Sequence, residues 1–269
     1  MLDAASLWPL RMTGPASPPA KDARAPATPR LFLAEVDAAH DAVYEAQLGL
    51  LDADERARLA RLRLAPVRRE ALVARLLLRH ALSACRPRPP QDWRYLRGVY
   101  GRPRVADAPE LSFSLSHCAG LVGCLVAPGG RVGLDLEPRA RDTQELWNAR
   151  TLAPDELAAL LAQAPEQRAD AFLRSWTLKE ACAKAGGRGL RLPFERIAFA
   201  HADDGAPRLQ RDRAVPPAWR FWSFRLGAAH IGAIAVRRRR VAAQAITIES
   251  VPALPYRGAG RVLRPADPF

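Results

Sequence analysis

No stretch of this 269-residue chain approaches the ~18 consecutive apolar residues of a membrane-spanning helix. The N-terminus also lacks an export-type apolar segment, since Leu7-Trp8-Pro9-Leu10 is short and broken by proline. Cysteine is scarce. The four thiols, Cys85, Cys118, Cys124 and Cys182, show no C-x-x-C pairing, which argues against both a zinc knuckle and a disulfide frame. The expectation is a cytoplasmic protein with reduced thiols and no membrane partner. Acid is in deficit: 28 acidic against 41 basic residues leave a net charge of +13. Arginine far outnumbers lysine, and its planar fork suits phosphate. Such a surface attracts nucleic acid, a phosphorylated cofactor or an acidic protein. A bias toward Arg and Ala accounts for part of the excess as solvated charge, so the sign alone names no partner.

What is present describes a folded chain. Apolar residues make up 49%, and the length suits one large or two fused small domains. Residues 1–30 are rich in Pro and Ala without a hydrophobic period and read as a disordered arm. Asp52 followed by Glu55 marks a capping box that opens a helix. Pro66 starts a second helix, whose apolar side carries Leu72, Leu76, Leu77 and Ala81. Arg68, Arg75 and Arg79 fall on another face, expected to be solvated. Residues 93–99 read as a strand running into the turn Gly101-Arg102-Pro103. Leu111, Phe113 and Leu115 alternate with Ser112, Ser114 and Ser116 in a half-buried strand ending at His117. Strands over 121–126 and 131–137 flank the turn Pro128-Gly129-Gly130. Helices over 154–164 and 168–185 follow, the second stopped by Gly186-Gly187. Strands near 195–200, 219–226 and 230–236 close the pattern. Helix-then-strands thus occurs twice, which predicts an α+β fold of two similar halves. The expected organisation is an arm (1–30), an N-terminal α+β subdomain (31–130), a C-terminal one (131–240) and an irregular tail (241–269).

The chemistry concentrates in two segments. On the strand 131–137, Gly133, Asp135 and Glu137 share one face, with the two carboxylates roughly 7 Å apart at the backbone. Carboxylates so close raise one another's pKa unless a cation lies between them. Downstream runs W-x-x-K-E-A-x-x-K-x-G: Trp176, Lys179, Glu180, Ala181, Lys184 and Gly186. Trp176, Glu180 and Lys184, at i, i+4 and i+8, line one helix face. Each piece has a bland reading, an edge strand facing solvent or a surface ion pair. Together, three carboxylates and two ammonium groups suit Mg²⁺, a phosphate-bearing substrate and a base. That is the equipment of a phosphoryl-group transferase. A histidine at a strand end, His117, is more often structural than functional, though as a donor to phosphate it would make a charge-assisted bond. Cys118 and Cys182 read as packing.

Five ordered blocks of this chain resemble the 4′-phosphopantetheinyl transferases of the broad-specificity, Sfp-type class. They are Gly101-Arg102-Pro103, Phe113-Ser114-Leu115-Ser116-His117, Gly133-Leu134-Asp135-Leu136-Glu137, Trp176 through Lys184, and Gly187-Arg188-Gly189-Leu190-Arg191-Leu192-Pro193. The likeness spans about residues 31–236. It implies a pseudo-twofold pair of α+β subdomains with the active site and coenzyme A in the cleft between them. It also implies Mg²⁺-dependent transfer of the phosphopantetheine arm of coenzyme A to a serine of an apo acyl or peptidyl carrier protein, releasing adenosine 3′,5′-bisphosphate. By position in the family's blocks, Asp135, Glu137 and Glu180 would hold Mg²⁺, with Glu180 acting as the base directly or through water. Lys184 and His117 would neutralise phosphate, and Arg58, Arg97, Arg102 and Ser116 would contact the nucleotide. Arginine stands at position 102 where the family's G-K-P turn has lysine, which keeps the charge and alters the reach. The resemblance implies a monomer as well.

A basic nucleic-acid-binding protein is the alternative from another class. Arg237-Arg238-Arg239-Arg240 and the aromatics Trp219, Phe221, Trp222 and Phe224 carry it, but alternation favours a hairpin core for those rings. No helix-turn-helix, zinc-finger or RNP pattern accompanies them. A carrier-binding module without activity is disfavoured because every acidic position is present.

Overall fold

A computed structural model describes residues 28–97, 102–187, 192–201, 206–211, 219–237, 246–251, 253–254 and 262–263. The arm up to residue 27, Gly101, residues 188–191 and Arg238–Arg240 lie outside the described residues. The architecture is α+β, in two units: Met1–Gly129 with Thr247–Arg261, and Gly130–Ile246 with Val262–Phe269. No helix among the described residues is long and apolar enough to cross a membrane.

The first unit begins with β1 (Arg30–Glu35), α1 (Asp41–Glu45) and α2 (Ala53–Arg61). Asp52 caps α2 as its pattern requires: its carboxylate accepts from Glu55 N at 2.8 Å, and Glu55 reaches back to Asp52 N at 3.1 Å. The long α3 (Ala65–Cys85) then crosses a sheet of β1, β4 (Leu111–Cys118) and β5 (Leu121–Pro128). β5 pairs antiparallel with both β1 and β4 and is buried along its whole length, as a central strand should be. Leu72, Leu76 and Leu77 of α3 meet Phe32, Val122 and Cys124 in one core. The hairpin of β2 (Tyr95–Arg97) and β3 (Pro103–Val105) packs its Tyr95 and Val105 against the same core.

Two expectations fail in this unit. Arg75 and Arg79 are buried, with Arg79 only 1% exposed. The Arg79 guanidinium donates to Glu55 at 2.5 Å and to the carbonyls of Pro90 (3.0 Å) and Trp93 (3.2 Å). A helix face reads as solvated from its charges alone, but an opposing carboxylate on α2 makes it an interior face. Likewise Ser114 and Ser116 of β4 are buried while Leu115 is half-buried, so the serine row does not face water.

The C-terminal stretch expected to be irregular contributes β11 (Ile246–Glu249), which lies parallel to β1 with Arg30 opposite Thr247. Ile246 and Ile248 are fully buried, and Glu249 makes a two-pronged ion pair with Arg30. The period-2 alternation of these isoleucines is the strand signal. It is too short to stand out beside a proline-rich flank.

The second unit holds β6 (Arg131–Pro138), α4 (Pro154–Leu161), α5 (Pro165–Gly186), the hairpin β7 (Ala198–His201) with β8 (Pro207–Arg211), and the hairpin β9 (Trp219–Leu226) with β10 (His230–Arg237). β6, β10 and β9 form an antiparallel sheet in that order. α5 starts earlier than its apolar period suggests because Pro165 fits the first helical turn. It ends at Gly187, whose φ of 69° is the left-handed cap available to glycine. Phe221, Trp222 and Phe224 are buried, the interior assignment that alternation favours.

The Glu55–Arg79 pair yields a stability test. Removing one partner of a buried ion pair strands the other and costs about 3–5 kcal/mol. Glu55→Ala should lower the urea midpoint accordingly. A change within experimental error would mean that Arg79 is not held by this carboxylate.

Candidate active site

The second unit brings a strand and a helix unusually close. A Cβ placed on Gly133 of β6 would lie 1.9 Å from the Ala181 carbonyl oxygen and 2.7 Å from Ala185 N, so only glycine permits this approach. Because side chains alternate along a strand, Asp135 and Glu137 share the face of Gly133 and point toward α5. On α5 the small residues Ala181 and Ala185 give the strand room, and Trp176, Glu180 and Lys184 flank them at helical spacing.

Contacts follow from that approach. Lys184 Nζ donates to Asp135 Oδ1 at 2.7 Å. The indole N–H of Trp176 donates to Glu137 Oε1 at 3.0 Å. The ring itself is fixed by stacking on Phe172 (5.9 Å between centroids) and by an edge contact with Phe194 (5.6 Å). Arg141, just past β6, donates to Glu137 Oε1 and lies 5.6 Å from the Trp176 ring centre. Glu180 is half-buried one turn before Lys184, and its charge helps stabilise that ammonium. Burial alone would push the Lys184 pKa down, but Asp135, Glu180 and Glu137 together leave it raised.

Asp135 and Glu137 are only 5% and 8% exposed, so neither faces solvent although β6 is an edge strand. Burial first, and the neighbouring Asp135 second, push the Glu137 carboxyl up to about 7 against the pull of Arg141, Trp176 and Lys184. Two enclosed carboxylates that resist joint ionisation fit a divalent cation, which would remove their repulsion. Among the described residues no group of three or more His, Cys, Asp or Glu side chains is placed to hold a metal ion. The expected trio of Asp135, Glu137 and Glu180 therefore shares one helix–strand contact without forming a preassembled cage. A magnesium site needs only one or two carboxylates, with water and substrate phosphates completing the shell.

Lys179, the other cation of the helix pattern, points elsewhere. It is fully buried and donates to Thr151 O (2.9 Å), Phe194 O (3.0 Å) and Glu156 (2.5 Å). Glu156 in turn accepts from Ala153 N at 3.0 Å and Phe199 N at 3.1 Å. The turn of α5 that carries Glu180 is thereby tied to the start of α4 and to β7.

The remaining expected site residues lie in the first unit. Ser116 and His117 lie near the end of β4; Ser116 is buried, and His117 Nδ1 lies 3.3 Å from Glu70 of α3. Arg58 is half-buried on α2, where its charge opposes that of Arg75. Arg102 is half-buried just before β3. Arg97 belongs to β2, and its side chain lies outside the described residues. Sequence reasoning missed Glu70, which meets His117 from a helix distant in sequence, and Arg141, which reaches Glu137 through a tight turn rather than a helical or strand period.

Two measurements probe this geometry. Gly133→Ala must part α5 from β6, an overpacking expected to cost roughly 1–3 kcal/mol or more. Its thermal midpoint should fall, and an unchanged midpoint would contradict the close approach. The second concerns pH in metal-free buffer. With its folded pKa raised, Glu137 keeps its proton in the native state between about 4.5 and about 7 while the unfolded chain has released it. Native stability should therefore fall as pH rises through that window. In Glu137→Gln this part of the slope should vanish; parallel pH profiles for the two proteins would mean that Glu137 titrates normally.

Comparison with known proteins identifies the family. The sequence profile of the 4′-phosphopantetheinyl transferase superfamily matches residues 131–243. A 4′-phosphopantetheinyl transferase of Bacillus subtilis is 29% identical over 134 residues, covering 50% of this chain and 59% of its own. The Sfp 4′-phosphopantetheinyl transferase of Bacillus subtilis strain 168 is 26% identical over 148 residues, covering 55% and 65%. The chain thus spans less than two thirds of the length of either. HetI, a 4′-phosphopantetheinyl transferase of Nostoc, is 32% identical over 174 residues, covering 63% of this chain and 71% of its own. With the carboxylate strand and the Trp–Lys helix both inside the profile match, and with HetI 32% identical and covered over 71% of its length, the chain belongs to the 4′-phosphopantetheinyl transferase superfamily.

Proposed function

We propose that this protein transfers the 4′-phosphopantetheine group of coenzyme A to a serine of an apo acyl or peptidyl carrier protein. The observation that carries the reading is the array of Asp135 and Glu137 against Trp176 and Lys184, set by the contact of β6 with α5 in a member of this superfamily. The serine hydroxyl attacks the phosphorus bearing the pantetheine arm. A new O–P bond forms, and the pyrophosphate bond breaks to release adenosine 3′,5′-bisphosphate.

Such a reaction asks the protein for position and charge neutralisation more than for covalent help. Lys184, already held by Asp135, offsets charge on the transferring phosphate. Glu180, one turn away on the same helix face, takes the serine proton directly or through water. Asp135, Glu137 and Glu180 are the residues that would hold Mg²⁺, which when bound supplies Lewis-acid stabilisation of the pyrophosphate. His117, Ser116, Arg58, Arg97 and Arg102 serve the phosphates and nucleotide of coenzyme A in this reading. The net charge of +13 favours encounter with an acidic carrier protein. The protein would act as a cytoplasmic monomer.

The direct test is incubation with coenzyme A, Mg²⁺ and an apo carrier protein, read by intact mass. Wild type should add one phosphopantetheine arm to the carrier serine. Glu180→Gln keeps the size and loses the charge, and its turnover should fall at least ~100-fold, the scale of general-base assistance. Asp135→Asn should be similarly impaired while retaining its melting transition. No modified carrier with wild type, or full rates in both variants, would overturn the assignment.

A further inference from the structure

Both carboxylates on β6 already carry a cation supplied by the chain. Asp135 has Lys184, a residue of the helix pattern. Glu137 has Arg141, which belongs to no part of it. Arg141 reaches this place through a tight turn: its backbone N–H donates to Pro138 O at 3.1 Å, folding the chain back directly after β6. The side chains of Arg141 and Glu137 are 14% and 11% exposed, so water screens the pair little. The guanidinium and the Trp176 indole donate to the same oxygen, Glu137 Oε1. Arg141 also lies against the ring of that indole. Carboxylate, guanidinium and indole thus form one interlocked group.

We propose that Arg141 is an internal counter-ion that competes with the divalent metal for Glu137, holding this carboxylate in place until the metal displaces it. The inference rests on the reading of Asp135, Glu137 and Glu180 as metal ligands. Its physical basis is that a divalent cation and a guanidinium repel each other and cannot both lie close to one carboxylate oxygen at full strength. The two ligands of Glu137 are therefore coupled with negative sign, and by linkage whatever weakens one tightens the other. Arg141 opposes the repulsion between Asp135 and Glu137, and it lowers metal affinity in return. Lys184 faces Asp135 in the same way, but it is also assigned to substrate phosphate. Arg141 is given no part in substrate binding in this reading, so its replacement addresses the metal more directly. When the metal takes Glu137, Arg141 leaves the face of Trp176, so the indole should register the exchange.

The test is Mn²⁺ binding by the full chain without coenzyme A, followed by the electron paramagnetic resonance of free Mn²⁺. Titrations at about pH 8.5 keep protons from competing for the carboxylates. Arg141→Met should bind Mn²⁺ at least about fivefold more tightly than wild type, the lower end of typical coupling between linked sites. Arg141→Lys, which keeps a charge but loses the fork, should fall between them. In wild type, Mn²⁺ should also change the indole emission, and Trp176→Phe should abolish that change. If Arg141→Met does not show a native melting transition, Arg141→Gln takes its place with the same expected sign. Equal or weaker Mn²⁺ binding by the folded variant overturns the competitor role while leaving the metal site standing. No Mn²⁺ binding by wild type would instead remove the metal reading, and this inference with it.

Discussion

The close packing of β6 on α5 at Gly133 is the constraint on which the site depends. With a hydrogen in place of a side chain, the strand backbone comes against the Ala181 carbonyl. That separation brings Asp135 within 2.7 Å of Lys184 and Glu137 within 3.0 Å of the Trp176 indole. A methyl group at position 133 would act at the root of every one of these contacts, because Gly133, Asp135 and Glu137 share one strand face. The small residues Ala181 and Ala185 answer the glycine from the helix side. Interiors transmit such displacements because they are packed without slack.

Once enclosed, the two carboxylates create an electrostatic problem that the rest of the site addresses. Neither is exposed enough for water to carry its charge, and each raises the cost of ionising the other. Lys184 and Arg141 supply compensating charge one for one, and Trp176 adds a neutral donor to Glu137. Each carboxylate of the pair therefore has its own partner within the fold. The candidate site is thus already organised in its protein groups.

Lysine usage sharpens the picture. The chain has three lysines, Lys21, Lys179 and Lys184, against a large excess of arginine. Two of the three lie on one helix, five residues apart, with opposite duties. Lys179 is a point charge enclosed by two carbonyls and a carboxylate, a pocket that a planar fork would not fit. Lys184 faces the candidate site. An arginine-rich composition that keeps lysine at both places indicates that the compact, three-donor ammonium is what each position needs.

The sequence alone determined which residues could meet across this contact. Strand alternation puts Asp135 and Glu137 on one face, and helical spacing does the same for Trp176, Glu180 and Lys184; both are local periods, written in consecutive residues. Helix limits at Asp52 and Gly187 were legible for the same reason, since a cap is a short-range bond. Tertiary structure decided everything that depends on a partner distant in sequence. Arg79 became interior because Glu55 lies on another helix, and Ile246 and Ile248 became a strand because β1 offers an edge more than 200 residues away. Glu137 divides its carboxylate between Trp176, on a helix distant in sequence, and Arg141, turned back onto it just past the strand. A side chain's charge is a property of the residue, but whether that charge is solvated, paired or in competition is a property of what folding places beside it.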